Sequence, residues 1–221
     1  MENSVERIIG YRWEIIEACI KLDLPVTVRS TSIQIFDRAI GKMLRGKKEM
    51  RDVIYAIVIV ASKCEDLHGN IDTLIKRLPG SNKKNIFNYE SELFEVLDYN
   101  FHFPSLYLRM YGVLALLQEK GLIKVARDTP EATEGDKGEE IFVYSGEDCI
   151  VPCINKLWKL SVERMDKILI LGREPYKEIE LVYASLYFPC EMFGFLSFSF
   201  SKDNVIRLRN ACESFRPPET K

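Results

Sequence analysis

The chain has 221 residues, enough for one large domain or for two of about 110 residues each. It carries 31 basic and 33 acidic side chains, which give a net charge of −2, and 47% of its residues are hydrophobic. This composition is typical of a soluble globular protein. It provides no overall attraction to the phosphate backbone of a nucleic acid or to an anionic lipid surface.

Cysteine and histidine residues are too scattered to predict a metal site. None of the six cysteines forms a Cys-x-x-Cys pair, and Cys64 and His68 are the only closely spaced cysteine and histidine. A structural zinc site needs more ligands at a regular spacing, so we expect no metal and no cofactor. Scattered cysteines without a recognisable signal peptide indicate a reducing, intracellular compartment, and no apolar run reaches the ~20 residues that span a bilayer.

The first half of the chain is predicted to be helical. Apolar residues recur at helical spacing from Ser4 to Leu22 and from Val28 to Leu44, and Pro25 separates the two stretches. A short helix is predicted from Asn70 to Arg77, and a longer one from Asn82 to Leu97.

The most hydrophobic segment, Asp52 to Lys63, has two possible structures. Its β-branched residues suit a buried strand of a parallel sheet. A helix that is apolar on all sides is the better prediction, because the neighbouring segments are helical and no turn glycine bounds the run. If Ile54–Val60 and Phe193–Phe200 were strands instead, an α/β enzyme would be the matching prediction.

The second half restarts at Pro104, so the predicted domains are residues 1–103 and 104–221. The segment from about 124 to 146 is polar and mostly acidic, and it is predicted to be a loop. Gly194–Phe200 alternates polar and apolar residues like a strand. The predicted helices are Ser105–Lys120, Ile150–Leu171, Pro175–Phe188 and Asp203–Phe215.

Several charged residues do not fit their surroundings. Glu90 falls in the apolar stripe of its helix, where it must be paired or covered by a partner unless it lies at the exposed edge. Lys63 ends the most hydrophobic helix, although a cation is also favourable at any helix C-terminus. Arg7 and Asp37 are opposite charges in the first two helices.

We find no nucleophile motif, phosphate-binding loop or zinc-protease motif that would indicate an enzyme.

Four segments together resemble the cyclin box, in the order and at the spacing of that family, over about residues 4–104. The second half matches more loosely, although its Tyr183–Leu186 (YASL) is similar to Val60–Lys63 (VASK). The four segments are Arg7–Trp13 (RIIGYRW), Ile35–Arg38 (IFDR), Val60–Asp66 (VASKCED) and Tyr89–Tyr99 (with the pattern Y-E-x-x-L-x-x-x-L-x-Y).

The resemblance implies an all-α protein made of two tandem five-helix cyclin-fold bundles, the second divergent. It implies a regulatory subunit, not an enzyme, that binds a cyclin-dependent protein kinase and activates it by stabilising the kinase αC helix in the active position. Glu6 and Gly10 replace large apolar residues of the substrate-docking patch of cell-cycle cyclins, so the chain is closer in character to cyclins H and C. We therefore expect a nuclear protein with a kinase partner, and a third assembly subunit is a further candidate.

An alternative with the same fold is a transcription factor core, similar to general transcription factor B, that binds DNA or transcription proteins. The negative net charge argues against it, so no direct nucleic-acid contact and no membrane contact are expected.

The resemblance also implies roles for individual residues. Lys63 and Glu90 are expected to hydrogen-bond the kinase beside its αC helix, and each would offset the desolvation of the other. Arg7 and Asp37 are expected to form an internal ion pair. Leu186 stands where Lys63 stands in the first half, so the second half should lack the charged contact. The complete expected kinase-binding set is Lys63, Glu90, Val60, Asp66, Tyr99 and Phe101.

Overall fold

A computed structural model describes residues 2–43, 49–67, 69, 71–125, 143–145 and 148–218. Within these residues the chain forms ten α-helices, one 3-10 turn and three short strands. The helices are α1 (Glu2–Lys21), α2 (Val26–Met43), α3 (Met50–Cys64), α4 (Ile71–Lys76), α5 (Lys83–Val96), α6 (Leu106–Glu119), α7 (Ile154–Leu171), α8 (Glu178–Leu186), α9 (Cys190–Phe193) and α10 (Lys202–Ser214). The strands are β1 (Lys124–Val125), β2 (Val143–Ser145) and β3 (Asp148–Val151).

The predicted all-α class is confirmed, with one small sheet added. The strands pair in the order β1–β3–β2, where β1 is parallel and β2 antiparallel to β3. The strands β1 and β2 occupy the two ends of the segment that was predicted to be an acidic loop. Residues 126–142 and 146–147 of that predicted loop lie outside the described residues.

The chain divides into two compact units. The first unit consists of Met1–Ser105 with Leu169–Gly172 and Arg216–Lys221. The second unit consists of Leu106–Ile168 and Arg173–Phe215.

Helix α3 is the centre of the first unit. It packs against α1, α2 and α5, and every side chain from Asp52 to Ser62 is buried. The helical prediction for this hydrophobic run is therefore confirmed. Helix α5 begins where the side chain of Asn82 accepts hydrogen bonds from the backbone N–H groups of Lys84 and Asn85, which satisfies donors that a helix start leaves unpaired.

Helix α8 has the corresponding place in the second unit. It packs against α6 and α10, and its residues from Leu181 to Leu186 are buried. The ring of Tyr183 stacks on Phe193, with ring centroids 3.9 Å apart, and Phe200 contacts the same ring edge-on. Aromatic packing of this kind fills the centre of the unit.

Three predicted elements of the second half were wrong. The predicted helix Ile150–Leu171 is strand β3 followed by α7, because Pro152 interrupts the segment and α7 begins after it. The predicted helix from Pro175 begins at Glu178, where the Glu180 side chain caps the chain at Lys177. Gly194–Phe200 forms a 3-10 turn (Gly194–Leu196) and a loop, and no strand partner lies beside it among the described residues.

Candidate functional site

Lys63 and Glu90 form an ion pair at the surface of the first unit. Lys63 lies in the last turn of α3 and Glu90 in the middle of α5, and the packing of these two helices lets the Lys63 ammonium donate to the Glu90 carboxylate. The Glu90 side chain is 9% exposed, whereas the Lys63 side chain is 39% exposed. The pair therefore presents its cation to solvent and keeps its carboxylate beneath.

This pairing explains the position of Glu90 within an apolar stripe. A buried carboxylate is costly unless a cation or several hydrogen-bond donors satisfy it. Here Lys63 of the same chain provides the cation. The burial of Glu90 is thus satisfied within the free chain, while the exposed part of Lys63 remains accessible to a partner.

An aromatic cluster lies beside the ion pair. Phe94 follows Glu90 by one turn of α5, and its ring centroid is 5.1 Å from that of Phe101 and 6.3 Å from that of Tyr99. Tyr99 is 67% exposed and Phe101 is half-buried. Aromatic side chains such as these are enriched in protein-binding surfaces, and tyrosine is among the residues that contribute most to binding energy there.

The end of α5 places these aromatic residues. Asp98 and Tyr99 both have left-handed backbone conformations, with φ of 50° and 54°. The Tyr99 N–H donates to the Phe94 carbonyl at 3.0 Å, which closes the helix with a bond of the kind found in C-terminal capping motifs. The reversal brings the chain back beside Phe94, so Tyr99 and Phe101 share one surface with it.

Two further residues of the expected kinase-binding set lie on α3 and just after it. Asp66 is exposed and follows the end of α3 in a left-handed conformation, with φ of 56°. Val60 is only 1% exposed, which does not fit the partner contact expected for it. The reason is that α3 is covered on all sides until its last turn, which begins near Lys63.

The predicted ion pair between Arg7 and Asp37 was wrong in its first member. Arg12 pairs with Asp37 instead, with Nη2 at 2.8 Å and Nε at 3.0 Å from the same carboxylate oxygen. Arg7 is exposed and donates to the Tyr11 hydroxyl. Arg12 lies within the apolar stripe of α1 that faces α2. Arg7 precedes it by five residues, which places Arg7 about 140° further around the helix and outside that stripe.

The second unit carries different chemistry at the corresponding place. Leu186 is fully buried, and the next residue, Tyr187, lies under the guanidinium of Arg164 at 3.6 Å from the ring centroid. Arg209, which follows the N-cap of α10 by as many residues as Glu90 follows that of α5, donates to the carbonyls of Tyr183 and Phe188. The cation here therefore caps the C-terminal end of α8 through backbone carbonyls.

Neither a metal site nor a membrane span is apparent in the described part of the chain. No group of three or more histidine, cysteine, aspartate or glutamate side chains is placed there to bind a metal ion. His68, the neighbour of Cys64 in sequence, lies outside the described residues. No helix of the described residues is both long and apolar enough to cross a bilayer.

Sequence comparisons and structure comparisons give different results. No protein-family model and no curated protein sequence matches the chain. A chain of the yeast TFIIK (Kin28/Ccl1/Tfb3) complex is similar in structure, with 15% identity, coverage of 97% of this chain and 86% of that chain, and a TM-score of 0.63. A viral cyclin from herpesvirus saimiri has 11% identity, coverage of 95% and 86%, and a TM-score of 0.64.

A third similar structure comes from the CAK complex of Chaetomium thermophilum bound to ATP-γ-S. It has 11% identity, coverage of 96% of this chain and 64% of that chain, and a TM-score of 0.61. Identities this low establish the fold and not the activity. The helical order, the central helix of each unit and these three likenesses agree, and the chain is therefore a cyclin-fold protein.

Proposed function

We propose that the chain is a regulatory subunit that binds and activates a cyclin-dependent protein kinase. One observation supports this most: the Lys63–Glu90 pair lies beside exposed aromatic residues on the surface of a cyclin-fold unit. Among the described residues this is where a half-exposed cation, a buried carboxylate and an exposed tyrosine lie together. That surface is the proposed kinase-binding surface, defined by Lys63, Glu90, Phe94, Tyr99 and Phe101.

The chemistry of the pair suits a contact with backbone groups of a partner. A lysine ammonium has three N–H donors, and one of them is directed to Glu90. The others can donate to carbonyl oxygens of a kinase. Because Glu90 stays bonded to Lys63, covering the cation does not leave an unpaired buried charge, and the cost of desolvation is reduced.

Activation then follows from the binding preference of this surface. A kinase transfers phosphate efficiently only when its strand lysine is paired with the glutamate of its αC helix. A subunit that binds the inward αC state better than the outward one shifts the equilibrium by its differential affinity. The cyclin-fold chain supplies no catalytic group in this mechanism.

A third subunit is part of the same proposal. The yeast TFIIK complex, which contains a chain similar to this one, has Kin28, Ccl1 and Tfb3 as components. By that likeness we propose that the kinase complex of this chain includes a further assembly protein.

The test is a purification followed by an activity assay. The immobilised chain is used to recover proteins from cells, kinases are identified by mass spectrometry, and phosphate transfer to a peptide is then measured with the purified kinase. We expect a cyclin-dependent kinase whose rate rises about a hundredfold, the change expected if about 1% of the free kinase has the active αC position. Recovery of no kinase together with DNA retention at low salt would support the transcription-factor alternative and contradict the proposal.

A further inference from the structure

One face of α2 carries three side chains that hydrogen-bond the same stretch of backbone. Gln34, Arg38 and Lys42 follow one another at four-residue spacing, so they lie in a row along the helix. Each donates to carbonyl oxygens between the end of α5 and the start of α6. The bonds run from Lys42 to Val96 (3.2 Å), from Arg38 to Asn100 (3.4 Å) and His102 (3.1 Å), and from Gln34 to Pro104 (3.0 Å).

The geometry of the two elements explains why this row fits the segment. Four residues of an α-helix advance about 6 Å along its axis, and two residues of extended chain advance about 6.6 Å. The donors Arg38 and Gln34 differ by four residues, and their acceptors His102 and Pro104 differ by two. The helix and the segment therefore remain in register as they run in opposite directions.

These bonds give the segment partners that it lacks in secondary structure. Residues 100–105 have no regular secondary structure, so no helix or sheet pairs their carbonyl groups. Within it, the Asn100 side chain accepts from the His102 N–H at 3.2 Å. The guanidinium of Arg38 also lies 4.5 Å from the centre of the Phe103 ring, so Arg38 holds the segment by two hydrogen bonds and a cation–π contact.

The same segment carries Tyr99 and Phe101 of the proposed kinase-binding surface. We infer that Gln34, Arg38 and Lys42 are positioning residues for that surface, because they fix the backbone that presents the two aromatic side chains before a partner arrives. This inference rests on the proposed function. A segment that is already ordered loses less conformational freedom on binding, which strengthens the complex without any new contact.

Arg38 is the residue on which the inference is best tested. Gln34 is 2% exposed, so its replacement would also disturb the core. Arg38 is exposed, and its neighbour Asp37 keeps α2 attached to α1 through Arg12. Replacing Arg38 should therefore release the segment and leave the helices in place.

The experiment uses the full chain with Arg38→Met, which keeps the side-chain stem, and Arg38→Lys, which keeps a cation over Phe103. The matched control is Arg77→Met, since Arg77 also donates from the surface of the first unit to a backbone carbonyl, that of Lys21 at 3.2 Å. Hydrogen exchange of backbone amides 99–103 is measured in the free chain, and kinase affinity is measured by titration. The melting temperature of each variant is measured alongside.

For Arg38→Met we expect faster exchange at 99–103 and kinase binding weakened about fivefold, with little change in melting temperature. Arg38→Lys should recover part of both losses, and Arg77→Met should show neither. Unchanged exchange in Arg38→Met would overturn the inference, and so would faster exchange with unchanged affinity. If the unaltered chain binds no kinase, the proposed function is wrong, and with it the positioning role, while the exchange data still decide whether Arg38 orders the segment.

Discussion

The carboxylates of Asp52 and Glu180 accept matching hydrogen bonds in the two units. Each lies in the first turn of the central helix of its unit, α3 or α8. Each accepts two hydrogen bonds from the start of the last helix of that unit, α5 or α10. One donor is the backbone N–H of the N-cap residue, and the other is the side chain of the asparagine three positions after it. The donors are Asn82 (3.1 Å) and Asn85 (2.9 Å) for Asp52, and Ser201 (2.8 Å) and Asn204 (3.1 Å) for Glu180. The two units thus share one internal capping pattern, which supports an origin by duplication more strongly than the short VASK and YASL similarity.

Replacing Glu180 by alanine should destabilise the second unit by about 2 kcal/mol. The change removes the acceptor of the Ser201 N–H and the Asn204 amide, and donors that lose a buried partner cost about 1–3 kcal/mol. The control is Glu191→Ala, which removes an exposed ion pair with Lys202 and should have no measurable effect. Urea unfolding followed by circular dichroism measures both, and equal midpoints for the two variants would contradict the capping role.

The stability that Glu180 contributes should decrease in acid. Burial raises the pKa of this carboxyl. The hydrogen bonds from the backbone N–H groups of Lys177 and Ser201 and from the side chain of Asn204 lower the pKa by more than burial raises it, so the pKa in the folded chain lies below its usual value. The unfolded chain therefore binds the proton more readily. The contribution is fully present above the unfolded pKa of about 4.3 and is lost as the pH falls through the folded pKa.

The measurement for this prediction is the difference in unfolding free energy between the unaltered chain and Glu180→Gln across the pH range. The difference should be constant near neutral pH and should narrow in acid, below the unfolded pKa. A difference that stays the same down to the folded pKa would show that the charge on Glu180 does not matter.

Gly172 should not tolerate a side chain. Its φ of 117° is disfavoured for any residue with a Cβ, and a Cβ there would lie 2.8 Å from Nη1 of Arg12, which Asp37 holds in place. We expect Gly172→Ala to lower stability by about 2 kcal/mol. Gly121→Ala is the control, because Gly121 has a φ of 68° with open space around the Cβ position, and it should cost only about 1 kcal/mol. Thermal unfolding compares them, and equal costs would mean that contact with Arg12 is unimportant.

The hydroxyl of Tyr183 should be dispensable. It is buried and has no hydrogen-bond partner within the described residues, and burial raises its pKa to about 12. Tyr183→Phe should therefore change stability by less than about 0.5 kcal/mol, or increase it. In contrast, Tyr107→Phe removes a donor to the buried carboxylate of Asp166 and should cost about 2 kcal/mol. A large loss for Tyr183→Phe, measured in the same urea titration, would mean that its hydroxyl is satisfied in solution.

The helices of the first unit were predictable because one apolar stripe per helix dominates their sequence. The run from Asp52 to Lys63 is the exception, since a segment buried on all sides has no periodicity. Its helical neighbours and the absence of a bounding turn glycine indicated a helix. Errors in the second half arose where local signals conflict. In Gly194–Phe200, Leu196 and Phe200 pack inwards from a 3-10 turn and a loop while Phe198 between them is exposed, so the alternating sequence does not reflect the two faces of a strand.

The site was predictable where a charge stood in an apolar stripe. Glu90 was found in this way, Lys63 was noted at the end of the most hydrophobic helix, and the association of the two came from the resemblance. Arg12 could have been found by the same rule, since it is four residues after Ile8 and four before Ile16 on the apolar face of α1. The row Gln34, Arg38 and Lys42 had no such signal, because Arg38 and Lys42 are exposed, as polar residues usually are, and the backbone acceptors of the row cannot be read from side chains.

The most direct test of the central claim is a titration of the kinase with Lys63→Met and with Lys83→Met. Both remove a lysine that is paired with a carboxylate in the first unit, but the Lys83–Asp72 pair is exposed and neither of its residues belongs to the proposed kinase-binding surface. Lys63→Met should weaken kinase binding at least tenfold, a difference of about 1.4 kcal/mol, while unfolding measurements show that the variant is still folded. Lys83→Met should bind like the unaltered chain. Equal affinity for all three proteins would contradict a kinase-binding surface at Lys63 and Glu90.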